Sequence, residues 1–379
     1  MSLFKGSTFL LGPRKVGKST FLHENFPNSL YIDLLDNNKY FEFTKNPGSF
    51  NENIQYELNK NKELRKYPII IDEIQRIPIL LNEVHRLIEK ENLNFILCGS
   101  SARKLVRGGA NMLGGRASRV VMGGLCIAEI DNFNLLRFIN NGNIPSNYLS
   151  NDASSLQKAY IQNYIQEEIK GEALVRNLLS FNRFLDLVGI TNGEEVNFSN
   201  ISRDVGVDAK TIREYFQILI DTLLGNYLLP YFDKKKRTNI LQSPKFYLFD
   251  TGIVNSLKGL ILSKDEGSEF GKSFEQIILN EIINYKNYKN KNFEISFWRT
   301  YEKDEVDFIL GDAEVSIEVK GGKNIDSANL KGTYKFNEVY KPKRSIVITN
   351  TKNPRKLNNE TELIPYLEFV NLLWEGKII

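Results

Sequence analysis

The chain has 379 residues, of which 41% are hydrophobic and 25% charged, with a formal net charge of +4. This composition excludes a disordered or fibrous chain, and the length suffices for two or three domains that fold without disulfides or metals. No apolar run is long enough for a membrane span and the early run at 9–11 is too short for a signal peptide, so a cytoplasmic protein with no membrane partner is expected. Cys98 and Cys126 sit among apolar neighbours without metal-ligand spacing, the setting of buried reduced thiols rather than a disulfide.

The first strong pattern is Phe9-Leu10-Leu11 running into Gly12-Pro13-Arg14-Lys15-Val16-Gly17-Lys18-Ser19-Thr20 and then a helix-forming stretch. Strand, Gly-x-x-x-x-Gly-Lys-Ser and helix, in that order, is what a phosphate cradle requires. Gly12 and Gly17 let the backbone curl so that consecutive N–H groups face phosphates, aided by the positive end of the following helix. Lys18 is the expected charge on the β- and γ-phosphates, and the Ser19 hydroxyl the expected Mg²⁺ ligand.

A short apolar stretch at 29–35 predicts a second strand. Tyr67-Pro68-Ile69-Ile70-Ile71-Asp72-Glu73 predicts a central parallel strand buried on both faces. Such a strand does not ordinarily end in paired acids without a use for them. Asp72 is placed to orient Mg²⁺ together with Ser19, and Glu73 to polarise an attacking water. A further strand at 95–98 leads into Gly99-Ser100-Ser101-Ala102-Arg103.

From 131 to 155 the composition shifts to Asn, Gly, Pro and Ser, which predicts a linker after an ATPase domain at 1–130. A helical module at 156–244 follows, with Leu178, Phe181, Phe184, Leu185 and Val188 at helical spacing. Within it, a short helix at 198–205, a Gly206 turn and a longer helix from Asp208 read as a helix-turn-helix, Lys210, Arg213 and Gln217 lying on the outer face. Apolar runs at 227–232 and 246–249 flank the basic cluster Lys234-Lys235-Lys236-Arg237 and suggest a β-wing. DNA is the expected partner of these cations, although such modules also serve as protein-packing units.

The last segment, 245–379, contains two alternating runs, 305–310 and 315–320, around Gly311-Asp312. A two-residue turn there predicts Val306 opposite Ile317 and Phe308 opposite Val315. Glu305, Asp307, Ser316, Glu318 and Lys320 then share the other face.

The phosphate loop, Ile-Ile-Ile-Asp-Glu-Ile-Gln at 69–75, Gly-Ser-Ser-Ala-Arg-Lys-Leu at 99–105 and Leu113-Gly114-Gly115-Arg116 together resemble a prokaryotic AAA+ ATPase family that carries a C-terminal domain of uncharacterised function. The patterns at 199–207, 245–252 and 271–275 extend that resemblance over nearly the whole chain. It implies an α/β fold: a P-loop AAA+ parallel sheet with helices, a winged-helix module and an α/β restriction-endonuclease-like domain. ATP and Mg²⁺ are the implied cofactors, and a homo-oligomer is a possible assembly. Ser100 or Ser101 takes the role of γ-phosphate sensor, and Arg116, then Arg103, are the candidates for the arginine that stabilises transition-state charge. Asp307, Glu318 and Lys320, with Glu275 from a helix, are similar to the PD-(D/E)XK nuclease motif and imply a second divalent metal. Val306 departs from that motif, standing where its proline would be. The alternative is an ATP-driven switch or scaffold whose nuclease-like domain is inactive and binds a partner.

Overall fold

A run such as Ile69-Ile70-Ile71 suits a strand covered on both faces, and that is where the chain puts it. The computed structural model describes residues 4, 6–100, 112–165, 177–232, 243–322, 325, 330–357 and 361–379. They fall into two compact units, Met1–Gly123 with Asp221–Leu224, and Gly124–Ile220 with Gly225–Ile379.

In the first unit β1 (Ser7–Leu11), β2 (Tyr31–Asp33), β3 (Ile69–Asp72), β4 (Phe95–Gly99) and β5 (Ala117–Val121) form an all-parallel sheet in the order β2-β3-β4-β1-β5. Alternate residues feed two separate cores: Phe9, Leu11, Ile69, Ile71, Phe95 and Leu97 on one face, Leu10, Ile70, Ile96 and Cys98 on the other. Helices α1 (Lys18–Asn25), α2 (Asn37–Lys45), α3 (Pro47–Lys60) and α4 (Leu80–Glu91) belong to this unit. α4 turns Leu80, Leu81, Val84 and Leu87 inward, a stripe at helical spacing whose burial contributes about 2 kcal/mol per side chain. Because every strand runs the same way, the carboxyl ends of β1, β3 and β4 share one edge, where ligands bind in open α/β sheets.

The segment expected as a linker, 131–155, is folded instead. It holds α5 (Leu135–Asn141), α6 (Pro145–Leu149) and the start of α7 (Ala153–Ala159). Its polar residues are caps: Asn134 accepts from the Arg137 N–H and Asp152 from the Ser155 N–H, while Pro145 opens α6. The buried Asp250 carboxylate accepts from the Asn143 and Ile144 N–H groups at 2.7 and 3.1 Å, and Phe138 and Ile139 join the second unit's core. Both cysteines are buried and free.

α8 (Leu178–Ile190), α9 (Phe198–Val205) and α10 (Ala209–Asp221) follow, with Gly206 left-handed at φ 78° between the last two. The remaining elements are β6 (Gly225–Pro230), β7 (Lys245–Leu248), α11 (Thr251–Lys258), α12 (Ser268–Tyr288), β8 (Ile295–Arg299), β9 (Glu305–Leu310), β10 (Val315–Lys320), α13 (Lys331–Tyr340), β11 (Arg344–Thr349), β12 (Arg355–Lys356), β13 (Glu362–Pro365) and α14 (Tyr366–Trp374). The strands make one mixed sheet, β12-β13-β11-β10-β9-β8-β6-β7. α12 lays Phe274, Ile277, Ile278 and Ile282 into a core with Phe308, Ile317, Ile346 and Phe369.

Two expectations are corrected here. A boundary at 244/245 would cut an antiparallel pair, since Leu228 is opposite Lys245; Leu229 and Pro230 then pair with Ser296 and Phe297 of β8, tying the expected wing strands into the C-terminal sheet. The β9–β10 turn spans four residues, not two, so Phe308 lies opposite Ile317 and Leu310 opposite Val315. Gly311 and Ala313 both adopt positive φ, 65° and 56°, in that longer turn. The slip of two residues leaves every side chain on its expected face, because the strand period is also two.

Candidate functional site

The phosphate loop hangs between β1 and α1. Gly17 caps the helix at φ 98° and Lys15 stands at φ 62°, the change of hand that turns successive N–H groups into an anion-binding concavity. Gly12 sits where a Cβ would come within 2.2 Å of the Met122 carbonyl oxygen, and its N–H donates to the Gly99 carbonyl at 3.2 Å. Gly12→Ala therefore has to displace backbone; at an overpacking cost of about 1–3 kcal/mol, ATP affinity should fall roughly 5- to 150-fold. Titration with a fluorescent ATP analogue checks this, and an affinity within twofold of the parent would show that the loop relaxes freely.

Lys18 is buried, its ammonium donating to the Gly12 and Pro13 carbonyl oxygens at 2.9 and 2.7 Å. The Ser19 hydroxyl donates to Asp72 Oδ2 at 2.8 Å, and the Glu73 N–H to Asp72 Oδ1 at 3.0 Å. A hydroxyl and a carboxylate oxygen this close are the hard oxygen donors that suit Mg²⁺. Tyr31, which the sequence reading missed, donates its hydroxyl to Asp72 Oδ2 from the neighbouring strand. Burial, then Asp72, raises the Tyr31 hydroxyl's pKa, so it stays a donor; the His23 ring stacks on it with centroids 4.2 Å apart.

Glu73 leaves β3 in a left-handed conformation, φ 58°. Burial pushes its carboxyl above the usual range, while Lys18 and Arg14 pull the other way. Gln75, also missed, donates through Nε2 to the Glu73 carboxylate and, at 3.1 Å, to Ser100 Oγ. Ser100 follows directly on β4, the strand between β1 and β3, so the expected sensor stands between cradle and acids. Pro13, Val16 and Thr20 belong to the same loop and helix start. Ser101 and Arg103 lie outside the described residues. Arg116 precedes Ala117, which is level with Ser7 at the start of β1. Five residues of strand, about 16 Å, separate that level from the phosphate loop, and the guanidinium pairs with Glu89 on α4. In this position the Arg116 guanidinium faces Glu89 and not the phosphate loop of its own chain.

In the second unit, one further step along the observed register sets Asp307 against Glu318. Asp307 Oδ2 accepts from the Val319 N–H at 2.7 Å, Glu318 pairs with Lys320, and Glu318 Oε2 is buried with no partner among the described residues. Glu275 on α12 accepts from the Tyr247 hydroxyl at 2.5 Å and lies 3.4 Å from the Lys245 ammonium. Lys245 also pairs with Glu305. Burial works against the Lys245 charge, but Glu275 and Glu305 outweigh it and hold the ammonium above the usual lysine range. Asp307 is pushed well up by burial and then Glu318; Glu318 is raised by burial against the pull of Lys320. Lys245 and Tyr247 had no local signal except a lysine opening an apolar strand. Among the described residues no group of three or more His, Cys, Asp or Glu could hold a metal ion. Lys245 pairs with Glu275 and Glu305 and Lys320 with Glu318, so the described geometry lends no support to the expected second metal.

On α10, Lys210, Arg213 and Gln217 are exposed, with the Arg213 guanidinium 4.7 Å from the Phe198 ring centroid. The basic cluster Lys234, Lys235, Lys236 and Arg237 lies outside the described residues. No described helix is long and apolar enough to cross a membrane.

Comparison with known proteins bears on the first of these units. A family model described as AAA domain matches residues 5–131, and models described as domains of unknown function (DUF8612 and DUF4143) match 134–264 and 270–369. The first match supports an ATPase of AAA type that binds nucleotide, usually with Mg²⁺. Uncharacterized proteins of Mycobacterium bovis (Mb2031c) and Mycobacterium tuberculosis (Rv2008c) are each 24% identical over 252 residues, which is 64% of this chain and 55% of theirs. The chain thus aligns with about half the length of these curated relatives.

Proposed function

We propose that the chain is a Mg²⁺-dependent ATPase whose second unit engages DNA. The convergence of Lys18, Ser19, Asp72, Glu73 and Ser100 on one sheet edge carries the ATPase reading. Lys18 exchanges the carbonyls of its own loop for β- and γ-phosphate oxygens. Ser19 and Asp72 hold Mg²⁺, which neutralises phosphate charge when bound. Glu73 takes the proton of the attacking water, and Ser100 reads the γ-phosphate.

Lys210, Arg213 and Gln217 on an exposed helix face after a glycine turn support a winged-helix module that meets phosphates. Glu275, Asp307, Glu318 and Lys320, drawn from a helix and two paired strands, support a PD-(D/E)XK-like domain. A second reading, an ATP-driven switch or scaffold that binds a partner without cutting, is favoured by the ammonium groups of Lys245 and Lys320 on those acids. ATP turnover with and without duplex DNA, beside cleavage assays in Mg²⁺ and Mn²⁺, separates the two. Turnover stimulated by DNA without cleavage supports a DNA-engaging ATPase with an inactive last domain; no turnover under any condition sinks the ATPase.

Arg116 completes the site in trans in a homo-oligomer on this reading. Mixing Arg116→Ala with Lys18→Ala subunits, each inactive alone, should then restore part of the hydrolysis, measured as phosphate release across mixing ratios. No recovery at any ratio removes Arg116 from that role.

A further inference from the structure

Gln75 has no place among the groups that bind nucleotide in the reading above, yet its setting is specific. It is 5% exposed and its Oε1 has no hydrogen-bond partner among the described residues. The same side chain presses on the backbone of β4: a Cβ on Gly99 would lie 2.3 Å from Gln75 Oε1. A leucine or methionine would fill this space without stranding a buried acceptor, so the amide is there for its donor side. That side has two hydrogens and two acceptors, the Glu73 carboxylate after β3 and Ser100 Oγ after β4, itself 2% exposed. Reversing the amide would turn its oxygen on the Glu73 carboxylate, which fixes the orientation chemically.

We propose that Gln75 is a positioning residue that joins Ser100 to Glu73, aligning the water-activating carboxylate only when a γ-phosphate draws on the Ser100 hydroxyl. The proposal rests on the ATPase reading. One Glu73 oxygen is tied to Gln75 and the other faces the water. Because a single nitrogen serves both acceptors, displacement of Ser100 toward the phosphate is passed to the carboxylate over two hydrogen bonds. A diphosphate gives Ser100 nothing to move toward and leaves Glu73 unaligned.

The test uses the full chain and the variants Gln75→Met, Gln75→Glu, Ser100→Ala and Gln75→Met/Ser100→Ala. For the Gln75 variants, Kd for a fluorescent ATP analogue should stay within about threefold, while kcat falls roughly 10- to 100-fold, the effect of a slightly misplaced catalytic group. A purely packing role would lower Tm or affinity along with kcat, whereas a positioning role lowers kcat alone. The double variant should lose no more than the worse single one. A kcat within threefold of the parent, or additive losses in the double variant, overturns the proposal. If Gln75→Met fails to fold, the isosteric Gln75→Glu carries the test, with the same fall in kcat at unchanged Kd. A parent without turnover sinks the ATPase reading and this proposal together, whereas an active parent matched by Glu73→Gln removes Glu73 from the mechanism and this proposal with it. An active parent, an inactive Glu73→Gln and parent-like Gln75 variants sink this proposal alone.

Discussion

Glu73→Gln should bind ATP with near-parental affinity and turn it over about 10²- to 10⁴-fold more slowly, the range in which a positioned general base acts. Glutamine keeps the size of the side chain, and its oxygen can still accept from Gln75, so the fold of the strand end survives. What it loses is the lone pair that takes the water's proton. Lys18→Ala should lose turnover through lost binding. Its buried ammonium donates to loop carbonyls at 2.7 and 2.9 Å, and loss of a charge-assisted contact to phosphate weakens binding by about 1.5–3 kcal/mol, roughly 10- to 150-fold. The parent's pH profile adds a check of sign. Burial raises the Glu73 carboxyl above the ordinary glutamate range, so the base protonates and kcat falls earlier on acidification than an exposed glutamate would allow. Titration of kcat at saturating ATP measures it. A Glu73→Gln rate comparable with the parent would remove Glu73 from the mechanism.

Why that site could be read from the chain alone, and the second only in part, follows from how each is built. The phosphate loop is local: eight consecutive residues carry its glycines, cation and hydroxyl, and a buried strand ending in Asp72-Glu73 is abnormal enough to announce a use. Tyr31 and Gln75 escaped because their contacts run to neighbouring strands and depend on sheet order, which no window of sequence contains. In the hairpin, the face of Asp307 and Glu318 was legible from alternation, whereas their register was not, since Gly311-Asp312 reads as a two-residue turn and the chain takes four. That difference moves Asp307 from opposite Ser316 to opposite Glu318 and brings the two carboxyls together. Asn, Pro and Asp at 134–152 misled because the same residues start helices and make loops, and only the buried Phe138 and Ile139 decide between these uses.

Lys245→Met should destabilise the second unit more than any single acid replacement around it. Lys245 is 5% exposed and its ammonium meets both Glu275 and Glu305. Removing one partner of a buried ion group leaves the rest uncompensated, at a cost of about 3–5 kcal/mol. Glu275 and Glu305 keep side-chain exposures of 20% and 26%, so water recovers part of this and the lower end, roughly 3 kcal/mol or 6–12 °C in Tm, is expected. Asp307→Asn should behave otherwise, because its carboxyl is pushed up by burial and then by Glu318, and the amide oxygen can still accept from the Val319 N–H. Neutralising it relieves repulsion, so stability should hold or rise.

A group whose folded pKa is raised binds its proton more tightly when folded. The parent should therefore gain stability as pH falls from the raised folded value toward the ordinary aspartate value, and Asp307→Asn should flatten that slope in thermal melts. The two roles of the cluster part at the cleavage assay. If the acids are a metal-dependent nuclease site, Asp307→Asn abolishes cleavage while ATP hydrolysis and Tm stay parental. If they are a lysine-neutralised structural knot, neither parent nor variant cuts DNA in Mg²⁺ or Mn²⁺, and Lys245→Met shows the larger loss of Tm. Parental cleavage that disappears in a fully folded Asp307→Asn would support a second divalent metal held by these acids.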